Sequence, residues 1–195
     1  MTSKDLLKGF ALIFTLGIVL LSFSILVLSF YLPGKVSSYY VKPTAPVVGI
    51  PVRLEISKIN VDAPIISVGV AKDGSMGAPT GPKEVGWFKF GVKPGEIGSA
   101  VIDGHYGYWK NGQGSVFDDL NKLRKGDQLY VKDSNGAVTI FIVRKILTYD
   151  PNKDASAVFS SSDGIAHLNV ITCEGVWNNT TKTYSNRLVV FTDKK

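Results

Sequence analysis

The chain has little cysteine and little charge, and both shortages narrow what it can be. One cysteine among 195 residues excludes a disulfide framework, because a disulfide needs two. Charged residues make up 19% of the chain, against about 25% in a typical soluble domain. Because 45% of the sequence is hydrophobic, intrinsic disorder is excluded for most of it. The net charge of +6 divides evenly between residues 1–42 and the remainder, so the folded part is only mildly basic and no nucleic-acid partner is predicted.

Charge is absent altogether between Gly9 and Gly34. A bilayer core is spanned by about 20 apolar residues in a helix, and this run reaches that length. We therefore predict an uncleaved transmembrane signal-anchor helix over residues 9–32, preceded by a cytoplasmic tail at residues 1–8. A cleavable signal peptide is the alternative, although its apolar core is shorter, usually about 7–15 residues. The short tail favours a single-pass protein of the cell membrane, with its N-terminus in the cytoplasm and its larger part outside the cell.

The rest of the chain predicts a linker followed by one mainly β domain. Residues 33–51 contain four prolines and no helical or strand period, which is typical of an extended tether. Over residues 52–195, runs of β-branched and aromatic residues alternate with turn residues. These runs predict eight strands, near Val52–Ile56, Ala63–Val68, Gly86–Phe90, Ser99–Ile102, Gln128–Lys132, Ala137–Leu147, Leu168–Thr172 and Arg187–Phe191. Eight strands in a domain of this size indicate a barrel or a sandwich.

Two local signals refine this prediction. Asn135-Gly136 between two apolar runs is a strong hairpin signal. The segment Val116–Lys125 is the only candidate for short helical structure after the linker, with Phe117, Leu120 and Leu123 on one side.

The single cysteine is the first candidate for chemistry. Cys173 ends a predicted strand and precedes a loop that contains glycine, where a side chain can reach a groove. A free cysteine is nevertheless more often a small buried hydrophobe than a nucleophile. Of the two histidines, His105 is the better catalytic candidate, because flanking glycines let its backbone approach a ligand. His167 lies six residues before Cys173 on one predicted strand, about 20 Å away at ~3.3 Å per residue, and is read as a surface or capping imidazole.

Arg187 opens the last predicted strand. If the loop Glu174–Asn186 closes an antiparallel hairpin, Arg187 lies beside Cys173 at a separation of ~5 Å. Taken alone, the arginine is a candidate for a surface salt bridge. Together, His105, Cys173 and Arg187 form an activated nucleophile, a proton donor and an oxyanion stabiliser.

At these residues the sequence resembles the sortase family. Ile171-Thr172-Cys173 is similar to the family's Leu-x-Thr-Cys signature, and Ile102-Asp103-Gly104-His105 is similar to its approach to the catalytic histidine. Phe117–Gly126 with Asp127 matches the run F-x-x-L-x-x-L-x-x-G-D. Arg187 fits the family's arginine, and the N-terminal anchor also agrees.

The resemblance implies a membrane-anchored cysteine transpeptidase on an eight-stranded β-barrel with short helices. Such an enzyme cuts a Leu-Pro-x-Thr-Gly-type sorting signal of a secreted protein between Thr and Gly. It holds the Thr as a thioester on Cys173 and passes it to an amine of a cell-wall precursor or a pilin lysine. No cofactor is predicted, and no metal either, because no acidic cluster has calcium-ligand spacing. Tyr106-Gly107 after the histidine leaves the sortase class open.

Four questions stay open at this stage. A different cysteine peptidase is one, although papain-like enzymes usually place the cysteine before the histidine. A non-catalytic, membrane-tethered β-barrel that binds an envelope partner is another, and it needs no reactive thiol. The third concerns the loop Tyr149–Gly164, with Val158 and Phe159, which is either a substrate wall or a plain surface loop. Trp177 likewise either lines the same groove or only packs.

Overall fold

The computed structural model describes residues 47–109 and 112–195. The predicted tail, the anchor and most of the linker, residues 1–46, lie outside the described residues. Within the described ranges, no helix combines the length and apolarity that crossing a bilayer requires.

Eight strands form the domain, and each predicted strand overlaps an observed one. They are β1 (Pro51–Ile56), β2 (Val61–Val68), β3 (Val85–Phe88), β4 (Gly98–Gly104), β5 (Gln128–Asp133), β6 (Val138–Tyr149), β7 (Ala166–Asn178) and β8 (Thr183–Lys194). Two 3₁₀ turns, at Ser57–Ile59 and Leu120–Lys122, and one short α-helix, Ser156–Phe159, join them. The predicted hairpin at Asn135-Gly136 connects β5 to β6, and the glycine has the positive φ that the turn requires (84°).

The strands close into a barrel in the order β1-β2-β3-β4-β7-β8-β6-β5, which decides between barrel and sandwich. The pairs β2–β3 and β4–β7 are parallel, and the other neighbours are antiparallel. Along each strand, side chains alternate between the inside and the outside of the barrel, and those that point inward fill its interior. Phe117, Leu120 and Leu123 are fully buried in the same core, so the predicted apolar face of this segment is confirmed.

A second apolar cluster lies on the outer face of β4, β7 and β8. Val101 belongs to it, whereas its neighbours Ala100 and Ile102 point into the barrel. Val189 from β8 joins it, and Val158 covers it from the short helix. The amide of Asn169 on β7 donates to the Val158 carbonyl (2.6 Å) and ties the helix to the sheet. This outer face is the floor on which the candidate site is built.

The predicted loop Glu174–Asn186 is wrong, because most of it continues the two flanking strands. β7 runs on to Asn178 and β8 begins at Thr183, so only residues 179–182 form the turn. Cys173 therefore lies within β7 and does not end it, and Arg187 is the fifth residue of β8 and does not open it. Residues at the outer end of the hairpin are mostly polar, so the sequence shows no apolar alternation there. The two strands nevertheless pair, because backbone hydrogen bonds do not depend on the side chains.

The last described residues of the predicted linker are bonded to the barrel. The backbone amide of Gly49 donates to Asp133 Oδ2 (2.8 Å), and that of Ile50 donates to Ser134 Oγ (3.1 Å). The Lys93 ammonium donates to the carbonyl of Val48 (2.7 Å). These hydrogen bonds hold residues 48–50 of the predicted linker against the barrel.

Candidate active site

Cys173 and Arg187 are direct cross-strand partners in the β7–β8 ladder. The predicted adjacency is confirmed, although both residues lie within their strands. The preceding residue, Thr172, is buried, and its hydroxyl donates to the carbonyl of Gly104 (2.7 Å). Because side chains alternate along a strand, Cys173 faces the opposite, outer side. Its thiol is free and partly buried.

His105 reaches the same place from β4. β4 and β7 run parallel with Gly104 opposite Thr172, so the next residues along the two strands are His105 and Cys173. The His105 ring is held on two sides. Its Nε2 lies 2.8 Å from the Pro79 carbonyl oxygen, to which it donates when that nitrogen carries the proton. The Trp109 ring lies against it, with centroids 4.8 Å apart.

The backbone around His105 depends on a glycine. A Cβ on Gly104 would collide with the ring of Phe117, which is fully buried in the barrel. After the histidine, Asp118 accepts hydrogen bonds from the backbone amides of Gly107 (2.7 Å) and Ser115 (2.8 Å). These contacts fix the segment that carries the imidazole.

Arg187 is held by oxygen atoms of its own strand. Its Nη1 donates to the carbonyls of Tyr184 (3.2 Å) and Asn186 (3.0 Å), and its Nη2 donates to Thr183 Oγ1 (3.2 Å). Within the part of the chain that the structure describes, Arg187 takes part in no ion pair. The salt-bridge alternative is therefore not supported, and the guanidinium keeps its positive charge available beside the sulfur.

His105, Cys173 and Arg187 all line one groove of about 700 Å³. One wall is the β2–β3 connection, including Val70 and Met76. The other is the segment after β6, where Val158 and Phe159 line the groove as the substrate-wall prediction expects. A concave site with apolar walls and a few polar groups is typical of peptide and small-molecule binding.

Trp177 does not line this groove. Its indole packs against Tyr184, with ring centroids 5.1 Å apart, and donates to Asn179 Oδ1 (3.0 Å). It borders a separate depression on the outer β7–β8 hairpin.

The charges around the sulfur oppose one another. Burial raises the pKa of the Cys173 thiol, the Arg187 guanidinium lowers it, and the Asp103 carboxylate raises it, with burial the largest effect. Desolvation also raises the pKa of Asp103 to about 7, against the opposing effects of the Gly104 amide and Arg187. At neutral pH the free protein therefore holds most of its Cys173 as the thiol.

Asp103 is a site residue that sequence reasoning missed. It lines the groove with the three predicted residues. The signal was present, because residues two apart on a strand share a face and Asp103 precedes His105 by two. The Pro79 carbonyl had no such signal, since it comes from a connection 26 residues away.

His167 is not a surface or capping imidazole, so that interpretation is wrong. Its side chain is 3% exposed and bridges two carboxylates. Nδ1 lies 2.8 Å from Asp193 Oδ1, and Nε2 lies 2.9 Å from Asp163 Oδ2. It shares β7 with Cys173, as predicted, and is not among the residues that line the groove. Its role is to join β8 to the loop before β7.

Among the residues described, no group of three His, Cys, Asp or Glu side chains could hold a metal ion.

Comparison with protein families identifies the chain. The Sortase domain model matches residues 54–195, nearly three quarters of the sequence. The chain belongs to the sortase family, whose members are cysteine transpeptidases. A search of curated proteins gave no match.

Solved sortases share the fold. Streptococcus agalactiae sortase C1, in a complex with MTSET, is 25% identical with a TM-score of 0.58, over 75% of this chain and 69% of that one. Sortase C-1 of Actinomyces oris is 25% identical with a TM-score of 0.58, over 74% and 72% of the two chains. A lid mutant of Corynebacterium diphtheriae sortase A aligns with a TM-score of 0.59 at 21% identity, over 78% of this chain and 74% of that one. Class A and class C structures align about equally well, so the comparison does not assign a class.

Proposed function

We propose that this protein is a sortase that cleaves a C-terminal sorting signal of the Leu-Pro-x-Thr-Gly type and transfers the cleaved protein to an amine at the cell envelope. One observation carries the proposal: Cys173 and Arg187 are register partners, His105 comes level with them from β4, and all three open into one groove. Acyl transfer requires a nucleophile, a proton donor and a fixed positive charge close together.

In the first half-reaction, the Cys173 thiolate attacks the carbonyl carbon of the signal's Thr. Arg187 stabilises the negative charge that develops on the carbonyl oxygen. The His105 imidazolium donates its proton to the departing Gly nitrogen, and a thioester remains on Cys173. In the second half-reaction, an amine attacks the thioester, His105 accepts a proton from its nitrogen, and the thiolate leaves.

The location of the protein belongs to the same proposal. The uncharged run Gly9–Gly34 supports a transmembrane anchor at residues 9–32, with residues 1–8 in the cytoplasm. The domain then lies outside the cell, where its clients are secreted proteins and its acceptor is an amine of a cell-wall precursor or a pilin.

The test is acyl transfer to a small nucleophile. Full-length protein in detergent is incubated with Leu-Pro-x-Thr-Gly peptides of varied x and with hydroxylamine. With hydroxylamine present, we expect a hydroxamate of the Thr-terminated fragment. Without hydroxylamine, we expect an acyl adduct on Cys173. Mass spectrometry detects both products. Arg187→Ala should lower turnover by ~10²–10³, the usual effect of losing one oxyanion donor.

Three variants separate the proposal from its rivals. Cys173→Ala should abolish hydroxamate formation, whereas a non-catalytic binding barrel would keep its function. His105→Ala should abolish most turnover, whereas His167→Ala should keep its turnover per folded molecule, although the loss of its two carboxylate contacts should lower its melting temperature. Full activity in Cys173→Ala, or no product from the unaltered protein with any peptide, would contradict the proposal.

A further inference from the structure

The groove contains a carboxyl group that the proposed reaction does not use. Asp103 lies opposite Ile171 in the β4–β7 register, one position before the level of Cys173. Ile102, the preceding residue, points into the barrel, so the side chain of Asp103 points outward. His105, two residues further on, lies on the same outer face. It lines the groove and interacts electrostatically with both Cys173 and Arg187.

The second half-reaction needs a group of this kind. An amine acceptor is mostly an ammonium ion at neutral pH, since a lysine side chain has a pKa of about 10.4. An ammonium ion has no lone pair, so it must lose one proton before it attacks and a second one afterwards. His105, left neutral by the first half-reaction, can take only one of them.

We propose that Asp103 binds the ammonium group of the amine acceptor and removes its first proton. This inference rests on the proposed function, and it assigns the acceptor to the class of cationic primary amines.

The protons and electrons of the step balance. The Asp103 carboxylate takes one proton from the bound ammonium and becomes a carboxylic acid. The freed amine nitrogen forms a bond to the thioester carbon, and the carbon–sulfur bond breaks with its electron pair going to Cys173. His105 takes the second proton, which restores the imidazolium and thiolate. Asp103 then releases its proton to solvent.

The environment of Asp103 suits this role. Its pKa of about 7 makes it a stronger base than an ordinary aspartate, yet leaves it charged in half or more of the molecules at pH 7 and above. The other titratable groups that face the groove are His105, Arg187, Tyr149, Asp150 and Lys153.

The experiment compares two nucleophiles in Asp103→Asn. Hydroxylamine is mostly uncharged at pH 7 and needs no prior deprotonation, whereas Nα-acetyl-lysinamide and triglycine are largely cationic. In full-length protein, we expect Asp103→Asn to lower amide formation with the amines roughly 10²-fold relative to hydroxamate formation. Asp62→Asn removes an equal charge from an exposed ion pair with Arg53 and should leave the ratio unchanged.

The pH profile supplies a second readout. In the unaltered protein, the ratio of lysinamide product to hydroxamate should rise up to about pH 7 and then level, as Asp103 becomes charged. In Asp103→Asn only the free amine reacts, so the ratio should keep rising about tenfold per pH unit and should reach that of the unaltered protein at about pH 9.

The outcomes separate the two proposals. An equal loss with both nucleophiles in Asp103→Asn, or an unchanged ratio, would overturn the role of Asp103 and leave acyl transfer intact. The same holds if the unaltered protein forms hydroxamate but uses neither amine. No hydroxamate from the unaltered protein would instead overturn the proposed function, and this inference with it.

Discussion

At the scale of single residues, the charge state of one sulfur atom depends on burial and on two neighbours of opposite charge. Burial is the largest influence and raises the pKa of the Cys173 thiol, while Arg187 lowers it and Asp103 raises it. In the proposed reaction the arginine therefore has two effects, since it favours the thiolate and would also stabilise the oxyanion. The aspartate works against the thiolate in the free protein.

These signs predict opposite shifts in two variants. Arg187→Gln should raise the pKa of the Cys173 thiol further, because the stabilising positive charge is lost. Asp103→Asn should lower it, because the repelling negative charge is lost. The rate of alkylation by iodoacetamide as a function of pH measures both, and the single cysteine makes every alkylation event report on Cys173.

Asp62→Asn, on β2, is the control for these two pKa shifts. Its rate of alkylation as a function of pH should equal that of the unaltered protein. Shifts of the same sign in the Arg187 and Asp103 variants would show that desolvation alone governs the thiol.

At the scale of strands and loops, the sequence predicted what depends on apolar alternation and missed what depends on distant contacts. Every strand with a β-branched centre was found, and the pairing of Cys173 with Arg187 followed from hairpin geometry. The outer halves of β7 and β8 give no strand signal in the sequence, because polar residues such as Glu174 and Asn186 break the apolar alternation. The short helix Ser156–Phe159 gives no helical signal, because one turn is too short to show a helical period.

The candidate site likewise contains residues that the sequence predicts and contacts that it does not. His105 and Cys173 stand at recognisable positions next to strands, whereas the Pro79 carbonyl that orients His105 comes from a connection with no local signal. The orientation of Arg187 toward the carbonyls of its own strand could not be predicted either, since it depends on side-chain packing.

Gly104 links the barrel core to the site, and this predicts an effect on both. In Gly104→Ala the new methyl group must displace the buried Phe117 ring, which typically costs about 1–3 kcal/mol. Because Gly104 directly precedes His105, turnover should fall along with the melting temperature. Calorimetry and hydroxamate assays on the same sample measure the two effects.

Gly69→Ala is the matched control, since its added Cβ meets neighbours only at 3.5 Å, an ordinary contact distance. It should change the melting temperature little. Equal effects at the two glycines would show that the close approach of Phe117 to β4 does not matter.

At the scale of the whole molecule, the desolvated carboxyl group of Asp103 lowers the stability of the fold at neutral pH. The pKa of Asp103 is about 7 in the folded state and about 4 in an unfolded chain. The folded state thus binds the proton more tightly, so this group's contribution to the free energy of unfolding falls as pH rises from about 4 to about 7. Asp103→Asn should remove this penalty, which is on the order of a few kcal/mol above pH 7.

Melting temperatures of Asp103→Asn and the unaltered protein, measured from pH 4 to pH 8, test this. The variant's advantage should grow with pH and level off above about 7. Asp62 is the control of opposite sign, because its hydrogen bonds to Arg53 lower its pKa, so Asp62→Asn should gain no such advantage. A constant difference across the pH range would contradict the buried-charge argument.

The proposed anchor predicts how the protein partitions. Full-length protein should stay with membranes after salt and carbonate washes and should need detergent for release, because of the uncharged run Gly9–Gly34. A chain that starts at Thr44 should be recovered without detergent, since it keeps the hydrogen bonds that residues 48–50 make to the barrel. Release of the full-length protein by carbonate alone would contradict the anchor.

The strand order of the barrel also decides when the site can exist during biosynthesis. β8 is the last strand in chain order, yet it lies between β6 and β7, so the barrel stays open until it is inserted. Because β8 carries Arg187, a nascent chain that has reached Cys173 but not residue 187 has a sulfur without its cationic partner. In the proposed topology, residues 1–8 stay in the cytoplasm and the domain crosses the membrane, so the proposed group of His105, Cys173 and Arg187 becomes complete only after residue 187 has crossed.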